Sequence, residues 1–259
     1  MRRKSNNRPN VFYYIKSTWY KGSQPTFFDH QNCPASQILK DNYEVIKTEI
    51  LDYYNLNADN LDDNYTPYSI AIKGWKAVNL YTLFLKYPQN CRKFPKTDQI
   101  INTIPGMNMA MISVMEPGTE IPPHIGDTDG IIRHHLGVSV PIEDPKQVGI
   151  KIKSETRGWR EGEVLSFCNV HRHCAWNRSS QYRIVLIVDT IREEFIDRKY
   201  EIAGNTLAVI AMKQFATKAK FLKKMPFWLM KTFQIIFSYL FRIILYVERK
   251  FGMHLMGRR

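Results

Sequence analysis

Apolar positions change their period more than once along this chain. From Pro34 they recur at helical spacing, with Ile38, Tyr43, Ile46, Ile50 and Leu51 near one face. That predicts a helix, with Ser36 placed to cap it. Residues 55–69 are dense in Asn and Asp and read as loop. Residues 70–86 are expected to pair strands and 96–103 to form a short helix. From about 107 the texture is β-rich, in runs at 107–115, 134–142, 149–155, 164–167 and 182–190. Gly, Pro and Asp stand between these runs, as in EPGTEIPPH, which predicts an all-β sandwich or barrel.

A third pattern closes the chain. Within 226–250 one long helix is expected. At 100° per residue, Lys231, Gln234, Ser238, Arg242 and Arg249 share one narrow arc. Trp228, Phe233, Ile236, Leu240, Ile243 and their neighbours fill the rest, which makes a very wide apolar face. The longest charge-free run, Thr232–Phe241, is ten residues, short of the roughly 20 that span a bilayer. Attachment to a membrane surface is therefore favoured, with Lys223, Lys224, Arg249 and Lys250 on anionic headgroups. Packing on the barrel, contact between copies and a true span are the alternatives.

Charge supports that reading. The 259 residues carry a formal +13, distributed as +4 in residues 1–10, +10 from 213 onward and −1 between. A near-neutral body with two basic ends suggests an anionic partner. The basic C-terminal stretch is mostly apolar, so lipid is expected and nucleic acid is not. Hydrophobic residues are 44% and aromatics 13%, which excludes a disordered chain. The expected organisation is a basic flexible arm (1–10), one domain (11–195, motif core 107–190) and a basic, hydrophobic helical extension (196–259). Cys33, Cys91, Cys168 and Cys174 form no CxxC pair, which points to reduced thiols in a cytoplasmic protein.

Five of the seven histidines fall in two clusters. PPHIGDTDGIIRHHLG holds His124, His134 and His135, and NVHRHCAW holds His171 and His173. Clustered imidazoles flanking strands are candidate metal ligands. Arg183 lies ten residues after His173, on a run apolar on both faces. A buried guanidinium needs a partner, and a ligand carboxylate would supply one through two parallel hydrogen bonds. Arg133 and His135 are two apart on an expected strand and so share a face. Imidazoles for a metal and two guanidiniums for a dianionic acid are thus present together.

These residues carry a resemblance. Ser113-Val114-Met115-Glu116-Pro117-Gly118, Pro123-His124-Ile125-Gly126 and Arg133-His134-His135-Leu136-Gly137 resemble the aspartyl/asparaginyl β-hydroxylase family. So do Glu155-Thr156-Arg157-Gly158-Trp159, Glu161-Gly162-Glu163-Val164-Leu165, His173, Trp176, Arg183 and Val188-Asp189. The resemblance is strong over about 113–190 and weak over 25–112. It implies a mainly β fold: a double-stranded β-helix core, jelly-roll or cupin-like, with N-terminal helical elements and the C-terminal amphipathic helix. It implies Fe(II) held by His124 and His173, 2-oxoglutarate as cosubstrate and O2 as oxidant. It places Ser113, Arg133, His135 and Arg183 on 2-oxoglutarate, with Arg183 on the distal carboxylate. Trp75 matches a tryptophan of the cosubstrate pocket, and core packing is the other reading of it. Met115 aligns in the same pocket and equally reads as core.

The usual facial triad adds a carboxylate two residues after the first histidine. Here that residue is Gly126, as in the β-hydroxylases, and an aspartate there would recreate the triad. Asp127 and His171 are weaker alternative ligands. The implied reaction is hydroxylation of a C–H bond with conversion of 2-oxoglutarate to succinate. Acyl-chain hydroxylation at a membrane surface is favoured by the C-terminal helix. Peptidyl Asp or Asn β-hydroxylation and a non-catalytic binding module are the alternatives. Substrate contacts are expected from 55–105 and 191–222.

Overall fold

A computed structural model describes residues 9–15, 18–28, 33–57, 63–65, 71–219 and 224–252. The basic arm therefore lies almost entirely outside the described residues, as do Lys223 and most of the 55–69 loop. The predicted N-terminal helix is two helices, α1 (Pro34–Asp41) and α2 (Tyr43–Asn57). Asn42 breaks them, its side-chain amide donating to the Ile38 carbonyl at 2.8 Å and so ending the ladder locally. Ser36 is no cap. It is buried inside α1 with its hydroxyl 2.9 Å from that of Ser166, and Pro34 starts the helix instead.

β1 (Asp63–Tyr65), β2 (Ala71–Thr82) and β3 (Leu85–Lys86) follow, then α3 (Pro88–Cys91) and α4 (Pro95–Ile101). The carboxylate of Glu49 on α2 accepts from the backbone N–H groups of Lys96 and Thr97 at 2.9 and 2.7 Å. It thereby caps the N-terminus of α4. The β-rich region supplies β4 (Met107–Met115), β5 (Thr119–His124), β6 (Ile131–Ser139), β7 (Val148–Ile152) and β8 (Glu155–Gly158). β9 (Val164–Phe167), β10 (His173–Asn177) and β11 (Arg183–Ile191) complete it. Two long helices end the described chain, α5 (Lys199–Lys218) and α6 (Phe227–Phe251).

The strands do not form the expected double-stranded β-helix of jelly-roll or cupin type. They make two separate open sheets, ordered β1-β2-β4-β11-β6-β9 and β5-β10-β7-β8, with β3 beside β2. Among the described residues neither sheet returns to its first strand, and helices flank the larger one, so the fold is mixed α/β. Alternating apolar runs specify strands and their buried faces, but not whether the outer strands pair. Here the β9 edge is met by an irregular segment instead. Phe28 N–H donates to the Ser166 carbonyl at 2.9 Å, and Cys168 N–H to that of Thr26 at 3.1 Å.

Two cores result. One lies between the large sheet and α1–α4, with Leu39, Ile46, Phe94, Leu136 and Leu186 fully buried. The other lies between the sheets and includes Trp75, Met115, Ile150, Trp159, Phe167 and Val185. α5 and α6 pack together on the β2–β3 turn, where Leu83 and Leu85 meet Ala203, Leu207, Phe241 and Leu245. That turn places two ordinary residues in the left-handed region, Leu83 at φ 49° and Phe84 at φ 70°. Such a conformation costs about 1–3 kcal/mol per residue and persists only where packing imposes it.

Candidate active site

β5 and β10 pair antiparallel with His124 opposite His173. Adjacent strands thus bring together residues from the two sequence clusters, with ring centroids 4.1 Å apart. His124 Nδ1 lies 2.9 Å from the Pro122 carbonyl, and His173 Nδ1 lies 2.7 Å from that of His171. A carbonyl only accepts, so each Nδ1 carries the proton and each Nε2 keeps its lone pair. This is the tautomer that ligates a metal, oriented by a backbone partner. Burial holds both imidazoles below their ordinary pKa, and so in the neutral form that binding requires.

Behind the pair, on the inner face of the large sheet, lie three buried polar side chains, Ser113, His135 and Arg183. Phe167 separates the two parts, its ring 6.0 Å from His173 and 4.9 Å from His135. His135 Nδ1 accepts from Trp159 Nε1 at 3.2 Å. The proton of His135 therefore sits on Nε2, a buried atom with no partner among the described residues. Arg183 is 1% exposed. Its guanidinium stacks 4.7 Å from the Trp159 ring and reaches the Ser113 carbonyl only at 3.4 Å, and its Nε has no partner among the described residues. Burial lowers its pKa to about 9. The Ser113 hydroxyl accepts from Trp75 Nε1 at 2.8 Å, which leaves its own proton to donate. Met115 is fully buried in the core between the sheets.

Orphaned buried donors on His135 and Arg183 are costly unless something accepts from them. A dicarboxylate beside a metal fits this donor set. Two imidazoles present their Nε2 atoms, while a serine hydroxyl, an imidazole N–H and a guanidinium lie deeper. Among the described residues no three His, Cys, Asp or Glu side chains converge as a metal-ligand set. The two-histidine arrangement is what remains.

The other nominated residues are already engaged. Arg133 is engaged by Asp189 across β6–β11, Nε to Oδ1 and Nη2 to Oδ2, both at 2.8 Å. Its fork is thus already occupied, although its charge lowers the pKa of His135, where it is the largest cause after burial. Asp127 pairs with Lys213 of α5. His171 turns away, its Nε2 2.9 Å from the Gln24 carbonyl and its ring against Tyr20. His134 sits between Ser166 and Thr190 on the opposite face of the sheet.

Asn169, which no sequence motif singled out, fills the place beside Gly126. Gly126 N–H donates to the Asn169 carbonyl at 2.7 Å. A Cβ at Gly126 would stand 2.7 Å from the Asn169 side chain and 2.8 Å from its backbone oxygen. An aspartate at this position therefore does not simply recreate a triad. Gly126→Asp is expected to destabilise the fold by about 1–3 kcal/mol, the usual cost of overpacking, and not to tighten metal binding. A thermal melt and a metal titration of that variant decide between the two outcomes.

The sequence model of the family described as "Aspartyl/Asparaginyl beta-hydroxylase" matches residues 40–193. The chain is 31% identical over 178 residues to an ornithine lipid ester-linked acyl 2-hydroxylase of Rhizobium tropici, covering 66% of this chain and 62% of that protein. It is 34% identical over 125 residues to the human aspartyl/asparaginyl beta-hydroxylase, covering 46% of this chain and 16% of that one. It is 31% identical over 163 residues to the human aspartate beta-hydroxylase domain-containing protein 2, covering 59% and 43%. The matched region spans less than two thirds of each of these relatives.

Proposed function

Since the chain belongs to the aspartyl/asparaginyl β-hydroxylase family, we propose that it is an Fe(II)- and 2-oxoglutarate-dependent hydroxylase acting on a lipid acyl chain at a membrane surface. Bound Fe(II), with 2-oxoglutarate and O2, supplies the chemistry: one oxygen atom enters a C–H bond while 2-oxoglutarate becomes succinate and carbon dioxide.

The protein's part is holding and orienting. His124 and His173 hold the metal through Nε2, each fixed by its Nδ1–H bond to a backbone carbonyl. Arg183 pairs with the distal carboxylate, and His135 Nε2–H and the Ser113 hydroxyl donate to the cosubstrate. Trp75 fixes the Ser113 hydroxyl. Arg133, tied to Asp189, contributes positive potential rather than a free fork. The large apolar side chains between the sheets exclude water. The observation that carries this reading is the orphaned pair of donors, His135 Nε2 and Arg183 Nε, behind two Nε2-presenting imidazoles.

Two observations support lipid as the substrate class: the similarity to the Rhizobium acyl hydroxylase and the exposed apolar face of α6. Peptide β-hydroxylation is the second reading, favoured by the similarity to the human β-hydroxylase. To separate them, the protein is incubated with Fe(II), 2-oxoglutarate and either a lipid extract or a peptide library. Products are then scanned for the mass of one added oxygen. The expected result is a hydroxylated acyl chain, absent with His173→Ala. A hydroxylated Asp or Asn residue would transfer the assignment to peptides, and succinate formation independent of iron would end both readings.

A further inference from the structure

α6 packs inside out. An amphipathic helix on a soluble body normally buries its apolar stripe and shows its polar one. Here the buried positions include Gln234 at 0%, Ser238 at 2% and Glu248 at 8% exposed, together with Phe241 and Leu245. Gln234 donates to the side chain of Asn205 on α5 at 2.6 Å, and Arg242 reaches Glu201 at 3.5 Å. Arg249 bonds the Tyr200 hydroxyl at 3.0 Å. Gly204 makes this close approach possible: a Cβ there would stand 2.6 Å from the Arg242 side chain and 2.9 Å from the Ser238 carbonyl. The polar arc is therefore the fastening of α6 to α5.

The opposite face is left to solvent. Trp228, Ile236, Tyr239, Ile243 and Tyr246 lie within an arc of about 100° at helical spacing, and they are 57–67% exposed. A contiguous exposed apolar surface of this kind marks a partner. Trp and Tyr on it are the residues that favour a water–hydrocarbon boundary. Basic side chains stand at both ends, with Lys224 before the helix and Arg249 and Lys250 exposed in its last turn.

We infer that α6 lies in the plane of an anionic bilayer, apolar face down, and does not cross it. This rests on the membrane-surface reading above and adds the mode of attachment. By length and composition the helix could span, since its 25 residues cover about 37 Å. Its fastening decides otherwise. α5 is itself anchored in the body, where Ile202 packs with Ile131, Ile191 and Phe195, and Ala203 and Leu207 pack on the β2–β3 turn. A spanning α6 would have to break every bond to α5 or draw α5 and its ion pairs into hydrocarbon. An in-plane α6 breaks none. A second copy of the chain is a poorer occupant, because apolar faces apposed about a two-fold axis would bring the flanking cations together. Anionic headgroups complement the same cations.

The test uses the full chain and vesicles of phosphatidylglycerol with phosphatidylcholine. Flotation should carry the protein with the vesicles, and Ile236→Asp with Ile243→Asp should weaken partition about tenfold or more. The melting midpoint in water should not change, since both side chains are already exposed. Depth is read by quenching with lipids brominated near the carbonyl end or near the methyl end of the acyl chains. The indole at 228 is isolated by comparison with Trp228→Phe, and a mid-helix indole is introduced by Leu240→Trp. In-plane binding requires that both indoles be quenched more strongly by the shallow bromines. A deep Leu240→Trp indole would overturn the in-plane mode while leaving the membrane-surface reading intact. Failure to float, with a dimer in water that the double variant dissociates, would overturn both.

Discussion

His173→Ala should yield a folded protein that binds no iron and forms no succinate. His173 is 6% exposed and stands opposite His124, so its loss leaves a single imidazole where two converge. The substitution also leaves the His171 carbonyl without its donor. An unmade buried hydrogen bond costs about 1–3 kcal/mol, so a modest fall in melting temperature is expected alongside complete loss of metal. His171→Ala is the internal control. That ring packs on Tyr20 and bonds the Gln24 carbonyl, so its variant should keep metal binding. Metal titration and succinate measurement on both variants check this. Full turnover by His173→Ala would remove the metal assignment.

Arg183→Met should raise the 2-oxoglutarate requirement by about 2–5 kcal/mol, the range for a buried charge losing its partner, with metal binding retained. Its effect on the unliganded protein should be unusual. Truncating a buried arginine normally strands a carboxylate, but among the described residues Arg183 has only the Ser113 carbonyl at 3.4 Å and the face of Trp159. Replacing an unpaired buried charge by an apolar side chain should leave stability unchanged or raise it. Arg133→Met provides the contrast. It would strand Asp189, whose side chain is 3% exposed, and should destabilise the fold outright. Melting midpoints with and without 2-oxoglutarate separate the cases. If Arg183→Met lowers stability in the absence of 2-oxoglutarate and leaves the ligand-induced shift intact, Arg183 is a structural residue.

What the sequence disclosed depended on the kind of signal. β4 and β9 coincide with the expected runs 107–115 and 164–167, because apolar or β-branched runs bounded by turn residues are strong signals. β5, which carries His124, contains Pro122 and Pro123 and so argued against a strand. It escapes that rule by being, among the described residues, an edge strand paired only with β10. α5 has apolar residues on several sides, because it is covered by α6 as well as by the body, and it showed no clean helical face. Sheet closure was misjudged for a related reason, since strand pairing at an edge leaves no mark on the local pattern.

The histidines and arginines of the candidate site stood out as residue types at a spacing. Their pairings were not. Asp189 on Arg133, Asn169 against Gly126 and Lys213 on Asp127 are contacts across 43 to 86 residues. α6 shows the limit most sharply. Its two faces were visible from the periodicity, but which face turns inward depended on the polar side chains α5 offered it.

The left-handed turn at Leu83 and Phe84 bears on how the chain is made. Its burial comes from α5 and α6, more than a hundred residues later, and Phe84 also gives its N–H to the Asn108 carbonyl at 2.7 Å. During synthesis the β2–β3 hairpin therefore emerges long before the helices that hold its strained geometry in place. The order of contacts makes the hairpin of α5 and α6 a late clasp, closing on an early strand pair only after residues 199–251 have been made. Deleting α5 and α6 would leave an apolar, strained turn uncovered as well as removing the exposed apolar face of α6. Point changes on the outer side of α6 avoid that confusion, because they leave the clasp shut.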